Sequence, residues 1–130
     1  MIVINFIEML FLLMLGHAVA DFALQGDVMA KGKNRNRMPE PGQVPPGQKY
    51  MPTWGYWLSA HSGVHAAAVY VVTGSTLLAA GEFILHWLID FGKCENWYGV
   101  NLDQFLHFYS KFLIALFGSG ALYALAEWSL

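Results

Sequence analysis

All five histidines of this sequence stand four residues from another histidine or from an aspartate. The pairs are His17 with Asp21, His61 with His65, His86 with Asp90, and Asp103 with His107. Residues at i and i+4 project from the same face of a helix, one turn apart. Two side chains so placed can grip one ion, as in the zinc-protease helix that offers two histidines. Neutral imidazole supplies nitrogen, and carboxylate supplies oxygen with charge. That donor set suits zinc, manganese or iron better than magnesium or calcium. Five His and three Asp exceed what one tetrahedral ion takes and fit two. The expected metal ligands are therefore His17, Asp21, His61, His65, His86, Asp90, Asp103 and His107. The single cysteine, Cys94, is not needed as a ligand and excludes an internal disulfide.

Other polar residues fall around these pairs. Lys93 lies three residues past Asp90, placed either to bind an anionic group such as phosphate or to snorkel to lipid headgroups. Gln25 continues the His17/Asp21 face and Gln104 adjoins Asp103; either could orient a ligand. Glu82 lies one turn before His86 and extends the site weakly, being deeper in its helix. Lys111, four residues past His107, reads as a structural counter-ion.

The elements that carry these pairs are apolar. The 130-residue chain is 56% hydrophobic and 12% charged, with a mean hydropathy of +0.41; soluble domains carry about 25% charged residues. A formal net charge of -2 gives no basic surface for nucleic acid. We read one all-α membrane domain over residues 1–130, a four-helix transmembrane bundle with helices at about 2–25, 54–73, 77–92 and 102–128. The first run is about the length needed to cross a hydrocarbon core of about 30 Å. It lacks the Lys or Arg that opens a signal peptide and is read as an uncleaved span. Residues 26–53 hold all five prolines and five of the seven basic residues, and read as an exposed loop. Lys93 lies beside the second polar connection, so the positive-inside rule places both in the cytoplasm. Both termini and the Gly74-Ser75-Thr76 break are then periplasmic. Trp54, Tyr56, Trp57, Trp97 and Tyr98 mark the interface.

In an up-down bundle the four pairs come to one end. The first and third close their helices; the second and fourth open theirs. An ionisable group in a membrane helix costs roughly 2.5–3.5 kcal/mol, so eight of them must compensate one another, and a cation does this well. Two plainer readings stand beside this one. The His–Asp pairs could hold helices together by hydrogen bonds alone, or histidines from facing helices could ligate haem, although haem has no use for carboxylates at i+4.

The stretch Gly16-His17-Ala18-Val19-Ala20-Asp21-Phe22-Ala23-Leu24-Gln25 resembles the opening of the family called domain of unknown function 3307, small bacterial and phage membrane proteins. His61-Ser62-Gly63-Val64-His65, His86-Trp87-Leu88-Ile89-Asp90 with Lys93, and Asp103-Gln104-Phe105-Leu106-His107 match in order. The resemblance covers nearly the whole chain except residues 26–53. It implies the membrane fold and the site rather than a reaction. The pattern is also loosely similar to membrane-bound metal-dependent hydrolases of the bacterial inner membrane.

The leading functional expectation is a metal-dependent hydrolase. It would act on a lipid or lipid-linked phosphoester at the cytoplasmic interface, using one or two divalent ions, zinc or manganese. Lys93 would steady negative charge, and Asp90 or Asp103 would act as general base. A metal or proton carrier would instead need polar groups through the full depth of the bundle. A non-enzymatic phage or bacterial membrane protein would act through partner binding by the basic loop. Gly118-Ser119-Gly120 is a small-residue patch that could support a homo-oligomer.

Overall fold

A computed structural model of the chain describes residues 5–37 and 53–121. The Pro39, Pro41, Pro45 and Pro46 cluster, Lys49, both chain ends and the continuation of the last helix to residue 128 lie outside them. The fold is all-α, as the sequence predicts, with no strand among the described residues.

Helix α1 spans Phe6–Ala18 and runs on into a π-helical turn, Val19–Ala23. Asn5 starts it with a capping box: its side chain accepts from the Glu8 amide at 2.9 Å, and Glu8 accepts from the Asn5 amide at 3.2 Å. Glu8 is thereby explained as a cap. A short helix α2, Asp27–Gly32, forms within the stretch the sequence presents as loop. Its residues Val28-Met29-Ala30-Lys31 contain no proline, which begins only at Pro39.

Helix α3 spans Trp54–Thr73 and ends at Gly74. Gly74 adopts a left-handed conformation with φ of +66°, which closes helices cheaply only with glycine. Ser75 caps α4, Thr76–Cys94, by accepting from the Leu78 amide. This compact turn makes α3 and α4 an antiparallel hairpin, the most extensive helix pair in the fold. Helix α5 spans Val100–Gly118. It packs on α4 and α1, and α1 packs on α3, so the four long helices close a ring.

The two ends of this ring differ. At the α3–α4 turn end, Met9, Leu13, Val69, Ala79, Ile114 and Ala115 form an apolar core. Toward the other end the interior becomes polar. Among the described residues, eleven polar or charged residues are buried, against nine hydrophobic ones. The outside is correspondingly greasy: Ile7, Phe22, Val71 and Leu77 are each at least three-quarters exposed.

The stretch Phe6–Ala23 is long and apolar enough to cross a membrane, with 18 residues at a mean hydropathy of 1.7. It is the single such stretch among the described residues, so the sequence expectation of four spanning helices is met by that measure for one. The reason is local. The histidines and charged residues of α3, α4 and α5 lower the mean hydropathy of those helices.

Between the apolar core and the polar end, Lys111 of α5 donates from Nζ to Glu82 Oε1 of α4, with both side chains almost fully buried. Removing one partner of a buried ion pair leaves an uncompensated charge, whereas removing both does not. Lys111→Met should therefore lower unfolding stability in detergent by about 3 kcal/mol or more. Adding Glu82→Leu should recover most of that loss in the same denaturation measurement. Equal losses in the single and double variants would show that the loss does not come from an uncompensated Glu82 charge.

Candidate metal centre

The ring topology brings one His/Asp pair from each long helix, or its π turn, to the polar end. His17, His61, His65, His86 and His107 are all at most 4% exposed. Their rings pile into one cluster: His65 and His86 stack with centroids 3.6 Å apart, and His86 and His107 stack at 4.2 Å. His17 lies 5.2 Å from His65 and 5.1 Å from His107, and His61 lies 4.7 Å from His65.

Two carboxylates gather the Nε2 atoms. Asp21 Oδ1 lies 3.0 Å from His65 Nε2 and 3.2 Å from His61 Nε2, while its Oδ2 lies 3.3 Å from His17 Nε2. Asp90 Oδ1 lies 3.3 Å from His107 Nε2, and its Oδ2 lies 3.5 Å from His61 and 3.7 Å from His86. Asp103 Oδ1 stands 3.7 Å from His107 Nε2. All eight sequence-derived ligand candidates thus meet in one cluster. Asp21 sits in the π turn, a widening of the helix often found at functional sites.

The donor set fits a metal on two grounds. First, three groups of donor atoms lie within 4.8 Å of one another: Asp21 with His61, His65 and His86; His17 with His86 and His107; and Asp90 with Asp103 and His107. Four ligands about 2.1 Å from a tetrahedral ion stand about 3.4 Å apart, inside the range of the N···O separations here. Second, several of these contacts are not hydrogen bonds. His61 Nε2, His86 Nε2 and Asp103 Oδ1 are buried with no hydrogen-bond partner. Buried polar atoms are ordinarily partnered, and an ion among them would supply the missing partner. Buried His and Asp groups here can therefore hold a metal ion.

No family model, curated protein or solved structure matches this chain. The site must be interpreted from its own geometry.

Around the donors lies a ring of supporting contacts. Glu82 Oε1 stands 3.3 Å from His86 Nδ1 while it accepts from Lys111. It orients that imidazole from below, a larger part than its depth in the sequence suggests. Gln104 Nε2 donates to Asp103 Oδ2 at 3.3 Å and to Asp21 Oδ2 at 3.5 Å. Gln25 lines the cavity above the carboxylates, with a buried Oε1 that has no hydrogen-bond partner.

Lys93, singled out from the sequence, lines that same cavity of about 440 Å³, together with Asp21, Asp90 and Asp103. The lysine in contact with Asp90 is a different one: Lys33 Nζ donates to Asp90 Oδ2 at 2.5 Å. Sequence reasoning missed it, because Lys33 lies 57 residues from its partner, beyond any helical spacing.

Lys33 belongs to a strap, residues 26–37, tied down at its far end. Arg35 grips Glu95 with two bonds of 2.7 Å, and Asn36 Nδ2 donates to the Cys94 carbonyl at 3.0 Å. The Arg35 guanidinium also lies over the Phe91 ring at 5.0 Å. Its bond to Glu95 holds that carboxyl below the usual range, and Glu95 in turn raises the guanidinium. Gly32 permits the close approach to α3, since a Cβ there would stand 2.8 Å from the Trp57 ring.

His86 enters two of the three donor groups. His86→Ala should therefore lose more bound zinc per chain than His17→Ala, which touches one group. Elemental analysis after zinc loading, with helix content checked by circular dichroism, measures this. Unchanged zinc in His86→Ala would remove the centre as drawn.

Proposed function

We propose that this chain is a membrane-embedded metal-dependent hydrolase acting on a lipid or lipid-linked phosphoester. In this reading α1, α3, α4 and α5 form a four-span bundle of the bacterial inner membrane, within the domain of unknown function 3307 family. The strap faces the cytoplasm and both termini face the periplasm. The centre holds two divalent ions, zinc or manganese.

One observation carries the reading. Five imidazoles and three carboxylates are concentrated at one end of a bundle whose outside is apolar, beneath a cavity lined by the same carboxylates. A hydrocarbon surrounding explains the exposed Ile7, Phe22, Val71 and Leu77, and explains why ionisable groups turn inward. In a four-span bundle the off-centre depth of the cluster would bring it near the headgroup plane, where a phosphoester of a lipid lies.

A bound ion would bring the pKa of its water toward about 7 and polarise a phosphoryl oxygen. The protein's own residues supply the rest. Asp103, buried at 6% exposure, lines the cavity and would take the proton of the attacking water as the carboxylate left unbound by the ions. Asp90 is the weaker base, because Lys33 already occupies its Oδ2. Lys93 faces the same cavity and would offset charge gathering on the phosphoryl oxygens. The new bond joins water oxygen to phosphorus, the ester P–O bond breaks, and the leaving alcohol departs with the proton that Asp103 carried.

A carrier is less well supported. Below Glu82 and Lys111 the interior is closed by the apolar core around Met9, Leu13 and Ile114, where an ion path would need polar groups.

Purified protein with added zinc or manganese should hydrolyse a lipid phosphoester, and His65→Ala should abolish turnover. His65 is fully buried and contacts Asp21 at 3.0 Å. Equal turnover by that variant would overturn the assignment.

A further inference from the structure

The cavity above the carboxylates is lined by two opposed sets of charges. Asp90 and Asp103 are buried at 4% and 6% exposure, with Asp21 beside them. Lys33, Arg37 and Lys93 line the same space, and Arg37 is exposed at its mouth. The carboxylates are thus the deeper layer and Arg37 the outer one. The cations come from two separate parts of the chain, the strap and the end of α4. Its volume, about 440 Å³, lies within the roughly 300–1,000 Å³ typical of small-molecule sites.

We propose that this cavity is a subsite for a dianionic terminal phosphate, gripped by Arg37 and Lys93. The inference rests on the hydrolase reading for the divalent ions, which set the charge class and place that phosphate beside the metal donors; the Arg37 and Lys93 contacts are tested with and without metal.

Charge decides the ligand class. Three formal carboxylates face three formal cations, and Lys33 is already committed to Asp90 at 2.5 Å. Each divalent ion held by the His/Asp groups adds two positive charges. The occupant that restores balance carries at least two negative charges. A phosphomonoester does so near neutral pH, since its second pKa is about 6. A phosphodiester, with one charge, does not. Arginine supplies a planar fork that matches two phosphate oxygens, and lysine a compact point charge. Arg37 and Lys93, both lining the cavity, thus supply the two kinds of contact that a terminal phosphate makes.

The phosphate could be borne by a lipid or by a soluble molecule, and the two are separable. Full-length protein in detergent micelles, zinc-loaded and separately metal-stripped, is titrated with inorganic phosphate by calorimetry. The expected result is phosphate binding that Arg37→Ala and Lys93→Ala each weaken about tenfold, the equivalent of about 1.4 kcal/mol. Zinc content should equal that of the parent chain, which also shows that the variants fold. Unchanged phosphate affinity in the Arg37→Ala/Lys93→Ala double variant overturns the subsite while leaving the metal centre standing.

Conversely, His65→Ala that loses zinc yet binds phosphate as the metal-stripped parent does supports the subsite independently of the metal. A parent chain that binds no phosphate in either state overturns the inference. In competition, a lipid phosphomonoester acting at tenfold lower concentration than glycerol phosphate supports a lipid-borne phosphate. Equal competition supports a soluble one. Competition by a phosphodiester but by neither monoester overturns the proposed charge class.

Discussion

Asp21 is met by imidazoles from α1 and α3, and Asp90 by imidazoles from α3, α4 and α5. Two carboxylates therefore tie all four long helices together at one end. Burying them is costly unless every charge finds a partner. The consequence is a coupled arrangement: the helices must close their ring for the carboxylates to be compensated, and the carboxylates fix how the ring closes. A wholly apolar interior would tolerate sliding and rotation of one helix on another more readily than this interior can. The stacked rings of His65, His86 and His107 leave little freedom in how α3, α4 and α5 meet.

The same constraint accounts for the outer contacts. Glu82 is buried one turn below His86 and would itself be an uncompensated charge without Lys111. Asp90 faces the cavity and is met there by Lys33. Each carboxylate that serves an imidazole thus has a second partner on its far side: Lys111 for Glu82, Lys33 for Asp90, and the Gln104 amide for Asp21 and Asp103. The strap that delivers Lys33 is held by Arg35, Glu95 and Asn36 at a point outside the helices. The clamp therefore bears on the site through a lysine, although no clamp residue touches a histidine. Its grip depends on Glu95 being ionised, and the guanidinium beside it keeps it so to lower pH than a free carboxyl.

The all-α fold and the composition of the site were legible in the sequence because both follow from one periodicity. Spacing of four residues puts His86 and Asp90 on one face whatever else happens, and the order of pairs along the chain puts them at one end of an up-down ring. Gly74 followed by Ser75 marks a turn for reasons carried by those residues alone. Three features were not legible. The π turn at Val19–Ala23 leaves no composition signal, since Val-Ala-Asp-Phe-Ala suits an ordinary helix equally well. Helix α2 is too short for periodicity to declare it. Lys33 reaches Asp90 only through tertiary folding of the strap. The sequence shows Glu82 one turn before His86 but not its closeness to the site, because the cluster extends downward along α4.

The placement of polar and apolar cores at opposite ends also bears on what this interior can do. Six residues, Met9, Leu13, Val69, Ala79, Ile114 and Ala115, pack one end without a polar side chain. Met9 lies against Gly118, where a Cβ would stand 2.8 Å from its sulfur. This apolar packing lies beside the charged end among the described residues, and its low-dielectric wall strengthens interactions among the donors. The cavity on the opposite side gives solvent and ligands a way in over Asp21, Asp90 and Asp103. Among the described residues, a polar end with a cavity and an apolar end packed by side chains would suit a site that ligands enter and leave by the same face.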